Sequence, residues 1–463
     1  MSQYKTPDVY VKERSLLSPS VAEVPTAIPA FIGYTQVTEN SRGEDITQKA
    51  IRITSMLEYV ANFGNACAEA VTVKYNSDSA EFFIPGTSTA GHFLYQSVAH
   101  FFANGGGTCY VISIGDYSTT LTENDTTEPK AKDEFIKAIN SLSKVDEVTL
   151  ISCPESVLLS YQDHYDIQNA ALTHAETMMD RFALVDVKCS NAIRDDAANM
   201  RNKVSQGLKY GAAYYPYLKT SMARSYGEEK VTVTLPDGTE ASLSELNNPD
   251  FDHYSTAYYN QVKALLATHY LVLPPSAAIA GVMAKTDAQR GVWKAPANVA
   301  LVQVIAPTVD IDNSEQEDLN VDTVAGKSIN AIRSFVGKGT LVWGARTLDG
   351  NSNEWRYVPV RRLFNMVEES VKKASYFAVF EPNTPFTWLK IKTTIESYLE
   401  NLWKQGAFFG TTTDQAFFVN IGLGLTMTED DINNGIMNIE IGLAAVRPAE
   451  FIVLTFSHKS IEG

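Results

Sequence analysis

Five short stretches of this 463-residue chain carry residue types that could do chemistry. Ala325-Gly326-Lys327-Ser328 ends like a phosphate-binding loop, whose backbone amides wrap a phosphate that the lysine reaches. The motif's first glycine would fall at Val321, and an acidic loop precedes it instead of a strand. Gly105-Gly106-Gly107 leads into a strand, whereas a dinucleotide fingerprint must open a helix, because the phosphate sits on a helix N-terminus. His174-Ala175-Glu176 matches half of a zinc-deaminase signature, but the Pro-Cys-x-x-Cys half that supplies thiolates is missing; it reads as a solvated helix face. Asp310, Asp312 and Ser314 mimic the first ligands of a calcium loop, yet the turn glycine is Glu315 and the closing bidentate glutamate is Val321. Ser88, in Gly-Thr-Ser-Thr-Ala-Gly (86–91), lacks a nucleophile elbow's second glycine, because position 90 is alanine.

The seven histidines show no ligand spacing, and the four cysteines (Cys67, Cys109, Cys153, Cys189) are far apart and form no Cys-x-x-Cys, so they read as reduced structural thiols in a cytoplasmic protein. No catalytic residue, cofactor or metal ligand is expected. An enzyme would need polar groups converging in a pocket, for example Asp186 or His174 near a strand end. With 38 basic and 54 acidic residues the net charge is −16, which argues against nucleic acid or an anionic membrane as main partner. No apolar run approaches the ~18 residues of a membrane helix, and the N-terminus does not read as a secretory signal.

The elements that would position any site follow an alternating pattern. Helices are expected at 53–64 (Ser55 and Glu58 at capping-box spacing, Gly64 as stop), 93–103, 132–143 and 165–180. Apolar runs at 109–114, 148–152, 182–187 and 212–218 read as strands, so an α/β sheet covered on both faces is expected. Residues 220–262 hold a hairpin signal around Pro236-Asp237-Gly238 and read as a solvent-facing insertion. Further on, the acidic loop 310–318 leads to a helix with Ile329 and Ile332, a strand 340–345, and helices 360–374 and 385–404. A strand at 417–422, a cap at Thr428 and Asp431, and strands at 436–446 and 451–456 complete the reading.

Two features point outward. The chain starts with a proline-flanked β-prone run, Val9-Tyr10-Val11, and ends with Phe451-Ile452-Val453-Leu454-Thr455-Phe456. Such edge strands need a partner, in the chain's own sheet or in another copy by β-augmentation. Residues 356–410 hold eight basic and five acidic residues, a local +3. The helix from Pro385 carries Phe386, Leu389, Ile395, Tyr398, Leu399, Leu402 and Trp403 on an apolar side. Its mixed-charge face is either plain solvated surface or a contact for an acidic partner.

Several longer stretches resemble the contractile tail sheath family: VPTAIPAFIGYT (24–35), LVLPPSAAIAGVMAKTDAQRGVWKAPANVAL (271–301), INAIRSFVGKGTLVWGARTL (329–348), WRYVPVRRLFNMVEESVKKASYFAVFEPN (355–383), PFTWLKIKTTIESYLENLWKQGAFFG (385–410) and RPAEFIVLTFSHK (447–459). The resemblance implies an α/β (α+β) two-layer subunit: an arm (1–20), an outer α/β domain (21–350) with the 220–262 insertion, an inner domain (351–446) facing the tube, and a C-terminal strand arm (447–463). It also implies a non-enzymatic helical homopolymer around an inner tube, capped by baseplate and terminal proteins, with no nucleic acid and no membrane insertion. Assembly would be cytoplasmic, in a phage tail or a released phage-tail-like particle. Strand exchange falls on Val9, Tyr10, Val11, Phe451, Ile452, Val453, Leu454 and Phe456, and tube contact on Lys372, Lys373, Lys390, Lys392 and Lys404. A sheath-like adaptor that starts or caps the polymer is the alternative.

Overall fold

The computed structural model describes residues 21–40, 42–85, 91–119, 121 and 131–453. The largest sheet is a nine-stranded mixed sheet. In spatial order its strands are Val299–Ala300, Gly339–Val342, Ile329–Phe335, Gly211–Tyr215, Phe182–Asp186, Leu150–Ser152, Pro29–Thr35, Cys109–Asp116 and Ala50–Ile53. The six from Ile329–Phe335 to Cys109–Asp116 are parallel, and antiparallel strands close both edges.

Side-chain alternation splits the sheet into two cores. Ala30, Ile32, Ile112, Ile151, Ala183 and Val185 face one cluster, with residues of the helices Ala131–Ser141, Tyr161–Met178 and Ile193–Lys203. Their neighbours Phe31, Val111, Leu150, Phe182, Leu184 and Tyr214 face the other, with the helices Met56–Phe63, Leu94–Ala103 and Ser276–Arg290. Both faces are covered, which is why these strands read as continuous apolar runs. Gly281 lets two of those helices touch: a Cβ there would sit 2.5 Å from the Phe101 carbonyl oxygen.

Local signals set many boundaries. Ser55 Oγ accepts the Glu58 N–H, and Gly64 takes φ +80° after Phe63. The hairpin forms between Tyr226–Thr234 and Glu240–Ser242, but it is not an isolated decoration. It pairs with Glu69–Asn76 to make a four-stranded sheet with its own core of Val71, Val73, Val231, Val233 and Val262.

The helix expected at Ile329 and Ile332 is a strand, Ile329–Phe335, and the helix lies earlier, at Asn313–Asn320. An i, i+3 isoleucine pair fits a helix, but Ile329-Asn330-Ala331-Ile332 is buried throughout and pairs with Ala213–Tyr215. Burial on both faces erases the period that separates strand from helix.

The contacts divide the chain into two compact units, 25–366 with the tail from Arg447, and 367–446 with the N-terminal segment up to Val24. The helix Val358–Ser375 carries the chain from the first into the second. In the smaller unit, the helix Pro385–Gln405 buries Trp388, Ile391, Ile395, Tyr398, Leu399 and Leu402. The apolar stripe therefore differs from the one expected, because Phe386 and Leu389 are 80% and 64% exposed. At about 100° per residue, they fall outside the arc set by Trp388, Ile391 and Ile395.

Candidate assembly surfaces

The enzyme-like stretches have structural occupations. The amides of Val324 (3.1 Å), Ala325 (3.0 Å) and Lys327 (3.4 Å) do cradle an anion, but it is the carboxylate of Asp322, which also meets Arg201. Asp312 and Glu315 form a capping box at the start of Asn313–Asn320. His174 is not on a solvated face: it is buried beside Arg181 Nη1 at 3.2 Å. Burial, then Arg181, lowers its pKa to about 4. Asp186 is fully buried at a strand end and accepts the N–H (2.8 Å) and hydroxyl (2.6 Å) of Ser276. Desolvation outweighs those bonds and lifts its pKa to about 7. Ser88 lies outside the described residues, and among the described residues no His/Cys/Asp/Glu group could hold a metal ion.

The outward-pointing features are of a different kind. Phe451, Ile452 and Val453 are 71%, 77% and 87% exposed and belong to no strand. Just before them Glu450 is anchored: Arg346 donates to it through Nε (2.9 Å) and Nη2 (2.7 Å), Asn320 Nδ2 at 2.9 Å and Tyr357 OH at 3.2 Å. Burial works to raise the Glu450 pKa, but these donors, Arg346 foremost, outweigh it and hold the carboxyl below its ordinary range. Val9, Tyr10, Val11, Leu454 and Phe456 lie outside the described residues.

In the smaller unit, Phe417–Asn420 and Glu440–Leu443 form a two-stranded antiparallel ribbon. Among the described residues neither strand has a second strand beside it, and just beyond Leu443 the chain bridges to Phe408 through Ala445. Beside Phe417–Asn420 runs a groove lined by Lys392, Glu396, Glu400, Asp414 and Phe418. A two-stranded ribbon is marginal without further strands or packing.

The five candidate lysines lie on the helices Val358–Ser375 and Pro385–Gln405. Lys372 and Lys373 both reach Glu369, at 3.0 and 3.4 Å. Lys392 pairs with Glu396 at 3.7 Å and Lys404 with Glu400 at 2.7 Å, while Lys390 lies over the Phe377 ring at 4.5 Å. The local +3 comes from three arginines that are not free surface charge. Arg361 and Arg362 are 2% and 3% exposed, and Arg356 donates to the Gly350 carbonyl. Residues 367–410 balance five lysines against five glutamates, and 367–446 as a whole carry five basic and ten acidic residues. By count, 367–446 is therefore net acidic.

Arg362 also joins three stretches that look unrelated in sequence. Its guanidinium pairs with Asp287 (Nη1 at 3.1 Å) and donates to the Thr26 carbonyl (2.9 Å), and the Thr26 hydroxyl donates to Asp287 at 2.6 Å. Thr26, Asp287 and Arg362 come from the stretches 24–35, 271–301 and 355–383.

Solved structures resemble the chain along nearly its whole length. The contracted sheath complex of the extracellular contractile injection system PVC is 31% identical, covers 99% of each chain and has a TM-score of 0.65. The chain belongs to the contractile tail sheath family. The contracted helical sheath of the anti-feeding prophage is 30% identical, covers 99% of this chain and 100% of that one, and also has a TM-score of 0.65. Family patterns agree: the phage tail sheath protein central domain matches residues 157–348 and the phage tail sheath C-terminal domain matches 351–459. The tail sheath proteins of Vibrio phage KVP40 and Enterobacteria phage T4 are each 28% identical, over 140 and 131 residues. Those segments are 30% and 28% of this chain but only 20% and 19% of the phage proteins' length.

Membership in a structural family accords with the carboxylates being spent on capping and pairing. The Glu450–Arg346 anchor and the Asp287–Arg362–Thr26 junction escape sequence reasoning, because polar side chains 104, 75 and 261 positions apart leave no local pattern.

Proposed function

We propose that this chain is the structural, non-enzymatic subunit of a contractile sheath. Copies polymerise helically around an inner tube and contract to drive it through a target envelope. The observation that carries this reading is the match, over 99% of the chain, to sheath chains captured in a contracted state. Other neighbours are anti-feeding prophage baseplates, which supports a particle whose sheath meets a baseplate. Residues 351–446 are the inner part, 21–350 the outer, and the terminal segments 1–20 and 447–463 the arms. Residues Val9–Val11 and Phe451–Phe456 are the exchanged strands, and the two-stranded ribbon Phe417–Asn420/Glu440–Leu443 is the acceptor in a neighbouring copy. The exposed apolar run Phe451–Val453, launched from the Glu450 anchor, supports this assignment.

Copies linked in this way form a heterologous contact that propagates instead of closing. Contraction is then a near-rigid rearrangement of subunits, with the arms as tethers. Tube contact through Lys372, Lys373, Lys390, Lys392 and Lys404 rests on their helices, since four of the five are paired with glutamates. The particle is assembled in the cytoplasm and works in a phage tail or as a released injection device.

Negative-stain microscopy tests the reading. The full chain forms long tubes, whereas a chain lacking residues 1–18, or carrying Val11→Pro, stays folded and does not polymerise. Discrete monomers or dimers of the intact chain at high concentration contradict it.

A further inference from the structure

The four-stranded sheet around Val71 and Val231 forms a module inside the larger unit, with a core of its own. The chain enters the module between Phe63 and Glu69, enters it again between Thr220 and Tyr226, and leaves it through His269 and Tyr270. A fourth link, after Phe83, includes residues outside the described ones. Outside the module the second and third links are tied, because Leu218–Thr220 pairs with Leu271–Leu273. Inside it, the ladder of Glu69–Asn76 with Tyr226–Thr234 is interrupted: Glu69 faces Tyr226, but the next partners are Val71 and Val231. The stretch 227–230 thus stands against Ala70 alone, and a ladder broken in this way holds the neck weakly.

Side chains close the gap, and one residue makes the contacts. Arg224 donates to Glu69 through Nε (2.9 Å) and, through Nη1, to His269 Nε2 (3.3 Å) and the Tyr270 carbonyl (3.3 Å). Glu69 comes from the first link, His269 and Tyr270 from the third, and Arg224 itself lies on the second. Its planar, always charged fork is what lets one side chain span these acceptors. Because Nη1 donates, His269 Nε2 accepts and the ring is neutral; burial, then the Arg224 charge, lowers its pKa and keeps it so. The Arg224 and Glu69 side chains are buried, yet Glu69 Oε1 and His269 Nδ1 have no hydrogen-bond partner among the described residues. A buried unpaired polar atom costs stability that contact with water returns. Opening the clamp wets both atoms, which offsets part of the loss of the Arg224 bonds.

We propose that Arg224 is the lock of a hinge within the larger unit. With Arg224 in place the module is fixed; once it lets go, the module turns as a rigid body about the links 64–68, 221–225 and 269–270, and both halves keep their fold. The lock is a property of the single chain and does not depend on the reading that copies polymerise.

Hydrogen exchange of the full chain at pH 7.5, read by mass spectrometry, tests it. In Arg224→Gln, peptides covering 65–70 and 267–271 exchange about tenfold faster or more, while those of the module core at Val73 and Val233 and of the nine-stranded sheet keep their wild-type rates. Unchanged rates at the neck overturn the lock. Faster exchange throughout the module core overturns it too, because Arg224 then supports the module's fold and not its angle. Arg224→Lys decides the matter if Arg224→Gln does not fold. A lysine keeps the charge beside Glu69 but cannot span all three acceptors, so 267–271 alone exchanges faster; wild-type rates there overturn the lock.

Discussion

Three carboxylates occupy places where an α/β protein could otherwise take an anionic ligand. Glu155 accepts the N–H groups of Phe93 (2.7 Å) and Leu94 (2.9 Å) at the start of Leu94–Ala103. Asp186 takes that of Ser276 at the start of Ser276–Arg290, and Asp322 fills the nest of the Ala325–Ser328 loop. Helix N-termini favour negative charge, and here the protein supplies its own. Asp186 carries a pH signature. Its folded pKa, about 7, lies above the ordinary 3.8, so the folded state holds the proton more tightly. That stabilisation is complete below about pH 4 and is lost as pH rises through 7. Asp186→Asn should remove this loss, so that relative to wild type its urea midpoint gains on going from pH 5 to pH 8, by an amount on the order of 1–4 kcal/mol. An unaltered slope in the variant would falsify the assignment.

At the scale of elements, the Glu450 anchor ties down the backbone just before the exposed residues Phe451–Val453. Glu450→Ala strands Arg346, which is 4% exposed, without its carboxylate. Losing one member of such a pair costs roughly 2–4 kcal/mol, a little below the range for fully buried pairs, since Glu450 keeps partial solvent access. Because the Glu450 pKa is lowered, the pair's contribution is present above the ordinary carboxylate pKa and fades as pH falls. Thermal melts at pH 7 and pH 3 should therefore separate wild type from Glu450→Ala at the higher pH and bring them together at the lower. The same variant should assemble poorly even when folded, a defect that sedimentation of tubes would detect.

At the scale of the molecule, the acidic excess is spread over both units. The 367–446 segment is itself net −5, so it contributes to the −16 instead of offsetting it. A polymer that repeats this charge is kept dispersed by repulsion. Turbidity should rise as pH approaches the sequence pI of about 5.0 and fall again near pH 8, with salt moderating the difference. Turbidity that did not change across this range would mean that the exposed surface is not acidic.

Local and periodic features are legible in the sequence itself. Ser55 and Gly64 bound their helix, Thr428 and Asp431 cap theirs, and the strands at Cys109 and Phe182 stand where short apolar runs follow helices. The family, too, was carried by contiguous stretches of sequence. Tertiary structure decided what depends on residues far apart. It made Ile329–Phe335 a strand, because burial on both faces removed the period that could have told it from a helix. It joined 226–242 to Glu69–Asn76 and rotated Phe386 and Leu389 out of the core. It also turned a local +3 into a neutral surface, because whether an arginine is a surface charge or a buried partner is set by what folds against it, not by its neighbours in sequence.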